Sequence, residues 1–216
     1  MRIGLFTLVA GQEYHEWVLP GLRTKREYCG RHGYDYLEVV DHALVQGAEL
    51  PLSWYKLSLL SDILRNQTHE VAFCSDADVC ITNPAIRLEA IIQKYLPPAK
   101  DLLFCRQSVW APRINAGNFF IRNTAWSRRF LETWFQQGKR YESAKPGFWE
   151  QDYINEVCNS AGEIPDHIEV IGNQRAFNSF HLNWAAGDFL IHFPTLRRET
   201  LKKAMHKWGD STFHPE

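Results

Sequence analysis

The chain lacks any apolar run approaching the roughly 18 residues that a membrane-spanning helix needs. Met1 leads straight into "RIGLFTLVAG", which is too short and too strand-like for a secretory leader. Its five cysteines (Cys29, Cys74, Cys80, Cys105, Cys158) are odd in number and include no Cys-x-x-Cys pair. That argues against a disulfide framework and a thiolate zinc site, and predicts reduced thiols in a cytoplasmic protein. Net charge is −1, so no basic excess is offered to nucleic acid or an anionic membrane surface. Internal repeats, low-complexity tracts and interdomain linkers are also missing. For 216 residues, one domain spanning 1–216 is the expectation.

What the chain does have is aromatic surface: 13% Phe, Trp and Tyr, with 8 Trp. Most such rings are expected in the core, although flat rings also make binding surfaces. Apolar runs at 2–10, 34–41, 70–74, 102–105, 118–123, 168–171 and 189–193 read as strands. Helical spacing marks 12–32, expected in two parts around Pro20-Gly21. Further helices are read at 53–66 with a Ser53 cap, 86–96, 126–138 ending on Gly138, 148–159 and 197–207. Strands alternate with helices through the first half and crowd together in the second. The pattern predicts an α/β fold with a mainly parallel sheet, helices on both faces and a mixed C-terminal half.

The chemistry starts in "VAFCSDADVCITNP", residues 71–84. Asp76 and Asp78 sit where an apolar strand ends, and ligands collect outside the carboxyl ends of parallel strands. Alone, Asp-x-Asp reads as a solvated turn. At a strand end, two close carboxylates repel unless a cation joins them. A hard divalent ion shared with phosphate oxygens is the natural occupant, so the pair can clamp a diphosphate leaving group.

The stretch "WYKLSLLSDILRNQTHEVAFCSDADVCITNP" resembles the Trp-x-Lys helix, apolar strand, Asp-x-Asp and Asn-Pro of GT-A-fold glycosyltransferases. It is most similar to the family-34 galactosyl-, xylosyl- and mannosyltransferases. "NAGNFFIRNTAWSRRFLETW" (115–134), "FWEQDYINEV" (148–157) and "GDFLIHF" (187–193) resemble later blocks of that family in the same order. Family members are commonly larger Golgi proteins with an anchor and stem. In the late block, the usual Gly after His-Phe is replaced by Pro194-Thr195.

The resemblance implies one GT-A-like, Rossmann-like domain, with a nucleotide half at about 1–110 and an acceptor and sugar half at about 111–216. It implies transfer of a sugar from a UDP- or GDP-sugar, UDP favoured, to a carbohydrate or glycoprotein acceptor. Asp76, Asp78 and His192 would hold Mn²⁺, or Mg²⁺; His192 otherwise reads as a core histidine. The backbone around Thr7, Leu8, Val9 and Gly11 would receive base and ribose, and Asp76-Ala77 would face the nucleotide. Lys56 would reach the donor, its rival reading being a solvated helix lysine. Lys202 or Lys203 would contact phosphate, or else merely complement the helix dipole. Asn115, Gly117 and Asn118 would border the sugar, unless "NAGN" is only a turn.

Glu150, Gln151 and Asp152 are the reacting-centre candidates. An inverting enzyme needs a carboxylate base, Asp152 or Glu150. A retaining one would set Gln151 beside the anomeric carbon, and the resemblance favours retention. Successive helix residues point about 100° apart, so the three cannot share one direction. Two other classes fit parts of the pattern. One is a haloacid-dehalogenase-type phosphatase, whose Asp-x-Asp normally follows the first strand. The other is a non-catalytic nucleotide-sugar or glycan-binding module using Trp110, Trp149 and Trp184.

Overall fold

The computed structural model describes residues 1–66, 68–107, 113–144, 149–160 and 163–210. The elements are β1 (Ile3–Ala10), α1 (Gln12–His32), β2 (Asp35–Asp41), α2 (Leu44–Gly47), α3 (Tyr55–Asn66), β3 (Val71–Ser75) and β4 (Val79–Ile81). They continue with α4 (Leu88–Tyr95), β5 (Leu102–Arg106), β6 (Ile114–Arg122), α5 (Ala125–Ala144), α6 (Glu150–Cys158), α7 (Glu163–Asp166), β7 (Ile168–Ile171), β8 (Leu190–His192) and α8 (Arg198–Gly209).

Among the described residues, six strands form the central sheet in the order β2-β1-β3-β6-β5-β7. Pairing is parallel for β1 with β2, β1 with β3 and β5 with β7, and antiparallel where β6 meets β3 and β5. Only β6 therefore runs against the rest, which gives the expected mainly parallel sheet with a mixed later half.

Alternation along the strands sends successive side chains to opposite faces. Phe6, Ala72, Cys74, Phe104 and Phe119 meet Trp54, just before α3, Leu57 and Leu60 of α3, and Trp134 and Ile154 of α5 and α6. Ile3, Leu5, Val71, Phe73 and Phe120 meet Tyr28 and Cys29 of α1 and Leu88, Ile91 and Ile92 of α4. The cross-strand pair Phe73–Phe120 stacks at 4.5 Å between centroids, the kind of contact that contributes about 1 kcal/mol.

Four local expectations change. First, α1 is one continuous helix with Pro20 inside it. Tertiary packing outweighs the proline: a Cβ on Gly21 would lie 2.6 Å from the Val79 carbonyl oxygen and 2.2 Å from Met205 Cε, so α1 lies close on β4 and α8. Second, Gly138 does not end α5. It lets the helix approach Leu50 and Trp54, whose atoms would lie 2.8 and 3.0 Å from a Cβ. Third, β6 starts at Ile114 rather than at 118, so "NAGN" (115–118) is strand rather than turn: Asn115 pairs with Cys105 of β5 and Asn118 with Ser75 of β3, with a register shift in the β5 pairing between them. Fourth, Ser53 lies inside a 3-10 turn, Leu52–Trp54, and its hydroxyl caps nothing.

The short strand β4 pairs antiparallel with β8 in a separate two-stranded sheet, with Val79 opposite His192. No helix among the described residues is long and apolar enough to cross a membrane. All five cysteines are free thiols.

Candidate active site

The carboxyl ends of β1 and β3 open into a cleft of about 790 Å³. Leu8, Gly11, Lys56, Asp76, Ala77 and Asp78 line it, together with Gln12, Glu13, Tyr14, Trp17 and His42. Gly11 turns the chain there at φ 88°, in the left-handed region open to glycine, and its N–H donates to the Asp41 carbonyl at 3.2 Å. Thr7 and Val9 alternate away from the cleft. The Thr7 hydroxyl donates to the Ser75 carbonyl at 2.9 Å, and Val9 packs with Val18 and Leu22.

β3 ends at Ser75, and the next residue donates its N–H to the Gly117 carbonyl at 2.7 Å, which ties the Asp76–Asp78 turn to β6. The β4–β8 pairing and a 3.0 Å bond from Phe193 N–H to the Asp78 carbonyl bring His192 alongside. One ligand atom each from Asp76, Asp78 and His192 lie within 4.8 Å of one another. Gly117 keeps this space open: a Cβ there would lie 2.5 Å from His192 Cε1 and 2.8 Å from an Asp76 carboxylate oxygen.

Nε2 of the buried His192 makes no hydrogen bond and sits 3.4 Å from Asp78 Oδ1. A buried nitrogen that faces two carboxylates and makes no hydrogen bond of its own fits a cation site of two oxygens and one imidazole. Burial raises the Asp76 carboxyl, and Asp78 adds to this against the opposing charge of Lys56. Burial would raise Asp78 too, but the charge and contact of His192, with Lys25, hold it below its ordinary value.

Lys56 is not a solvated helix lysine. It is 3% exposed and contacts Asp76 Oδ1 at 2.9 Å, Glu150 Oε1 at 2.8 Å and the Ala116 carbonyl at 2.8 Å. Three donors meet three acceptors, so the ammonium bridges the Asp76–Asp78 turn, β6 and α6. Burial opposes its charge, yet Asp76 and Glu150 hold it above the ordinary lysine value.

The three α6 candidates diverge, as helix geometry requires. Glu150 is buried against Lys56. The carboxylate of Asp152 is taken by Arg113 and by the Trp149 N–H at 3.0 Å. Gln151 Oε1 accepts from Asn115 Nδ2 at 3.2 Å. Asn118 and Asn178 complete a buried amide cluster behind His192. Lys202 and Lys203 lie exposed on α8 and are not among the residues that line the cleft. Trp149 is 48% exposed, Trp184 packs on Trp208, and Trp110 lies outside the described residues.

Two buried residues at this centre carry no sequence motif. Asn178 follows a 3-10 turn and had no signal at all. Lys25 had one: it falls on the apolar stripe Val18, Leu22, Cys29 of α1, where a lysine is out of place. It is fully buried and donates to the Asp76 carbonyl and, at 3.4 Å, to the Thr7 hydroxyl.

The same architecture recurs in a solved glycosyltransferase involved in the glycosylation of the major capsid of PBCV-1. Its TM-score is 0.78 at 15% identity, covering 96% of this chain and 100% of that one. The sequence profile of the galactosyl transferase GMA12/MNN10 family matches residues 93–199. The chain is a GT-A-fold relative of this glycosyltransferase family. A probable glycosyltransferase 3 from Oryza sativa subsp. indica is 29% identical over 140 residues, 61% of this chain and 28% of the rice protein. An alpha-1,2-galactosyltransferase from Schizosaccharomyces pombe is 25% identical over 221 residues, covering 85% of this chain and 57% of the yeast protein. The chain thus spans little more than a quarter of the rice relative's length and over half of the yeast one.

Proposed function

We propose that the chain is a metal-dependent glycosyltransferase that uses a nucleoside diphospho-sugar, UDP-linked in the favoured reading, and a glycan acceptor. The observation that carries this is the convergence of Asp76, Asp78 and His192 beside the cleft at the strand ends. A bound Mn²⁺, or Mg²⁺, would supply charge stabilisation at the departing diphosphate.

The remaining roles belong to the chain's own groups. Leu8, Gly11 and Ala77 offer a wall for the nucleotide. Lys56 favours the ionised form of Asp76 against the burial that raises it, and its ammonium joins Asp76 to Glu150. Gln151, held through its oxygen by Asn115, keeps its N–H₂ to donate toward a sugar. With Asp152 paired to Arg113 and Glu150 buried under Lys56, neither candidate base on α6 is a free carboxylate. That supports retention, in which the acceptor proton passes to the leaving diphosphate oxygen. The phosphatase pattern fits poorly, since Asp-x-Asp here follows the third strand, not the first.

A thermal-shift panel of nucleotide sugars with and without Mn²⁺ tests the reading. A UDP-sugar should raise the melting temperature only with metal present. Asp78→Ala should abolish metal-dependent donor turnover; full turnover in that variant would overturn the assignment.

A further inference from the structure

The amide cluster behind His192 has a polarity that one backbone group decides. Amide side chains can be flipped end for end, but a backbone N–H can only donate. Gly117 N–H points at Asn115 at 3.0 Å, so the Asn115 atom there is Oδ1. The Asn178 atom 3.0 Å from that oxygen must then be Nδ2. Its other end is therefore Oδ1, and this oxygen lies 2.8 Å from His192 Nδ1. Two acceptors cannot sit at 2.8 Å without repulsion, so Nδ1 carries a hydrogen.

Asn118 Nδ2 also approaches His192 Nδ1, but at 3.4 Å, while it donates to Asn178 Oδ1 at 2.8 Å. Flipping Asn118 would set its oxygen against the Asn178 oxygen. It keeps the donating orientation although its Oδ1 finds no partner. Because Asn115 Oδ1 is fixed, its Nδ2 is free to hold Gln151 Oε1.

We propose that Asn178 is a positioning residue whose oriented amide keeps the His192 proton on Nδ1 and so turns the Nε2 lone pair toward Asp76 and Asp78. Asn178 is fully buried, so no water competes for its oxygen. A ligating histidine needs its second nitrogen held by an acceptor, and removing such a partner typically weakens metal affinity about 10–100-fold. Through Asn115, the same amide ties the metal-facing ring to Gln151, so both are set by one donor on β6. The role in metal binding rests on the proposed function; the position of the ring proton does not.

Two measurements test it. Long-range ¹H–¹⁵N spectra of the metal-free protein, recorded where the imidazole is neutral, report the proton's position. The His192 signals are assigned by their loss in His192→Gln. Wild type should show the Nδ1–H form, and an Nε2–H form would overturn the proposal whatever any variant does. Mn²⁺ titration, followed by the spin resonance of the free ion, reads affinity without turnover. Asn178→Leu should mix the two tautomers and raise the Mn²⁺ Kd about 10–100-fold; an unchanged Kd with an unchanged tautomer would overturn the assignment. Asn178→Asp retains the acceptor for Nδ1–H but faces Asn115 Oδ1 with a second acceptor. It should keep the Nδ1–H form and restore Mn²⁺ affinity, and it decides the matter should the leucine variant not fold. A wild type that shows Nδ1–H yet binds no Mn²⁺ would sink the proposed function, while the tautomer result would still support Asn178.

Discussion

Two buried lysines flank Asp76 from opposite faces of the sheet, and they live in opposite electrostatic worlds. Lys56, from α3, has two carboxylates and a carbonyl around its ammonium. Lys25, from α1, contacts only a carbonyl and a hydroxyl. Burial drives Lys25 down to about 8, and the nearby charges of Asp78 and Asp76 only partly oppose it. Lys56 is as deeply enclosed but is held above its ordinary value. The difference is direct pairing: a carboxylate in contact offsets the loss of water around a charge, and a neutral oxygen does so only weakly.

The largest effect should come from breaking the paired lysine. Lys56→Met leaves Glu150 and Asp76 without their cation and should cost about 3–5 kcal/mol in a denaturant titration. Adding Glu150→Gln should return part of that loss, with a coupling of about 0.5–3 kcal/mol in the double-mutant cycle. Strict additivity would show that the contact is incidental.

Lys25→Met should cost no more than about 1 kcal/mol near neutral pH, since it removes a charge that lacks a direct counter-ion. Its pH dependence sharpens the contrast. Between about 8 and 10.5, unfolded Lys25 holds a proton that folded Lys25 has released. Unfolding then takes up a proton, so wild-type stability rises with pH across this window. Lys25→Met should lack that rise when melting is followed against pH, whereas a rise of equal size would place the shift elsewhere. The smallest effect is expected for Arg23 on the same helix, 3.3 Å from Asp210 with both side chains half exposed. Arg23→Ala should stay within about 0.5 kcal/mol.

Much of this arrangement was legible from the chain alone. Strand β3 and the Asp pair at its end follow from a short apolar run meeting two carboxylates, and the element order followed from periodicity. Errors gathered where long-range packing overrides a local signal. Pro20, Gly138 and "NAGN" all read as breaks, yet each lies inside an element because a neighbouring element needs close approach or an edge to pair with. The short strand β4 escaped notice because its partner, β8, lies far along the chain.

The sequence by itself determined the α/β order, the family resemblance and the identity of the acidic pair, because these rest on spacing between neighbours and on ordered motifs. Only the tertiary structure decided which lysine is paired, that Asp152 is taken by Arg113, and that Asn178 stands behind His192. Charge state and hydrogen-bond direction are properties of contacts between residues distant in the chain, and no local pattern encodes which donor will face which acceptor.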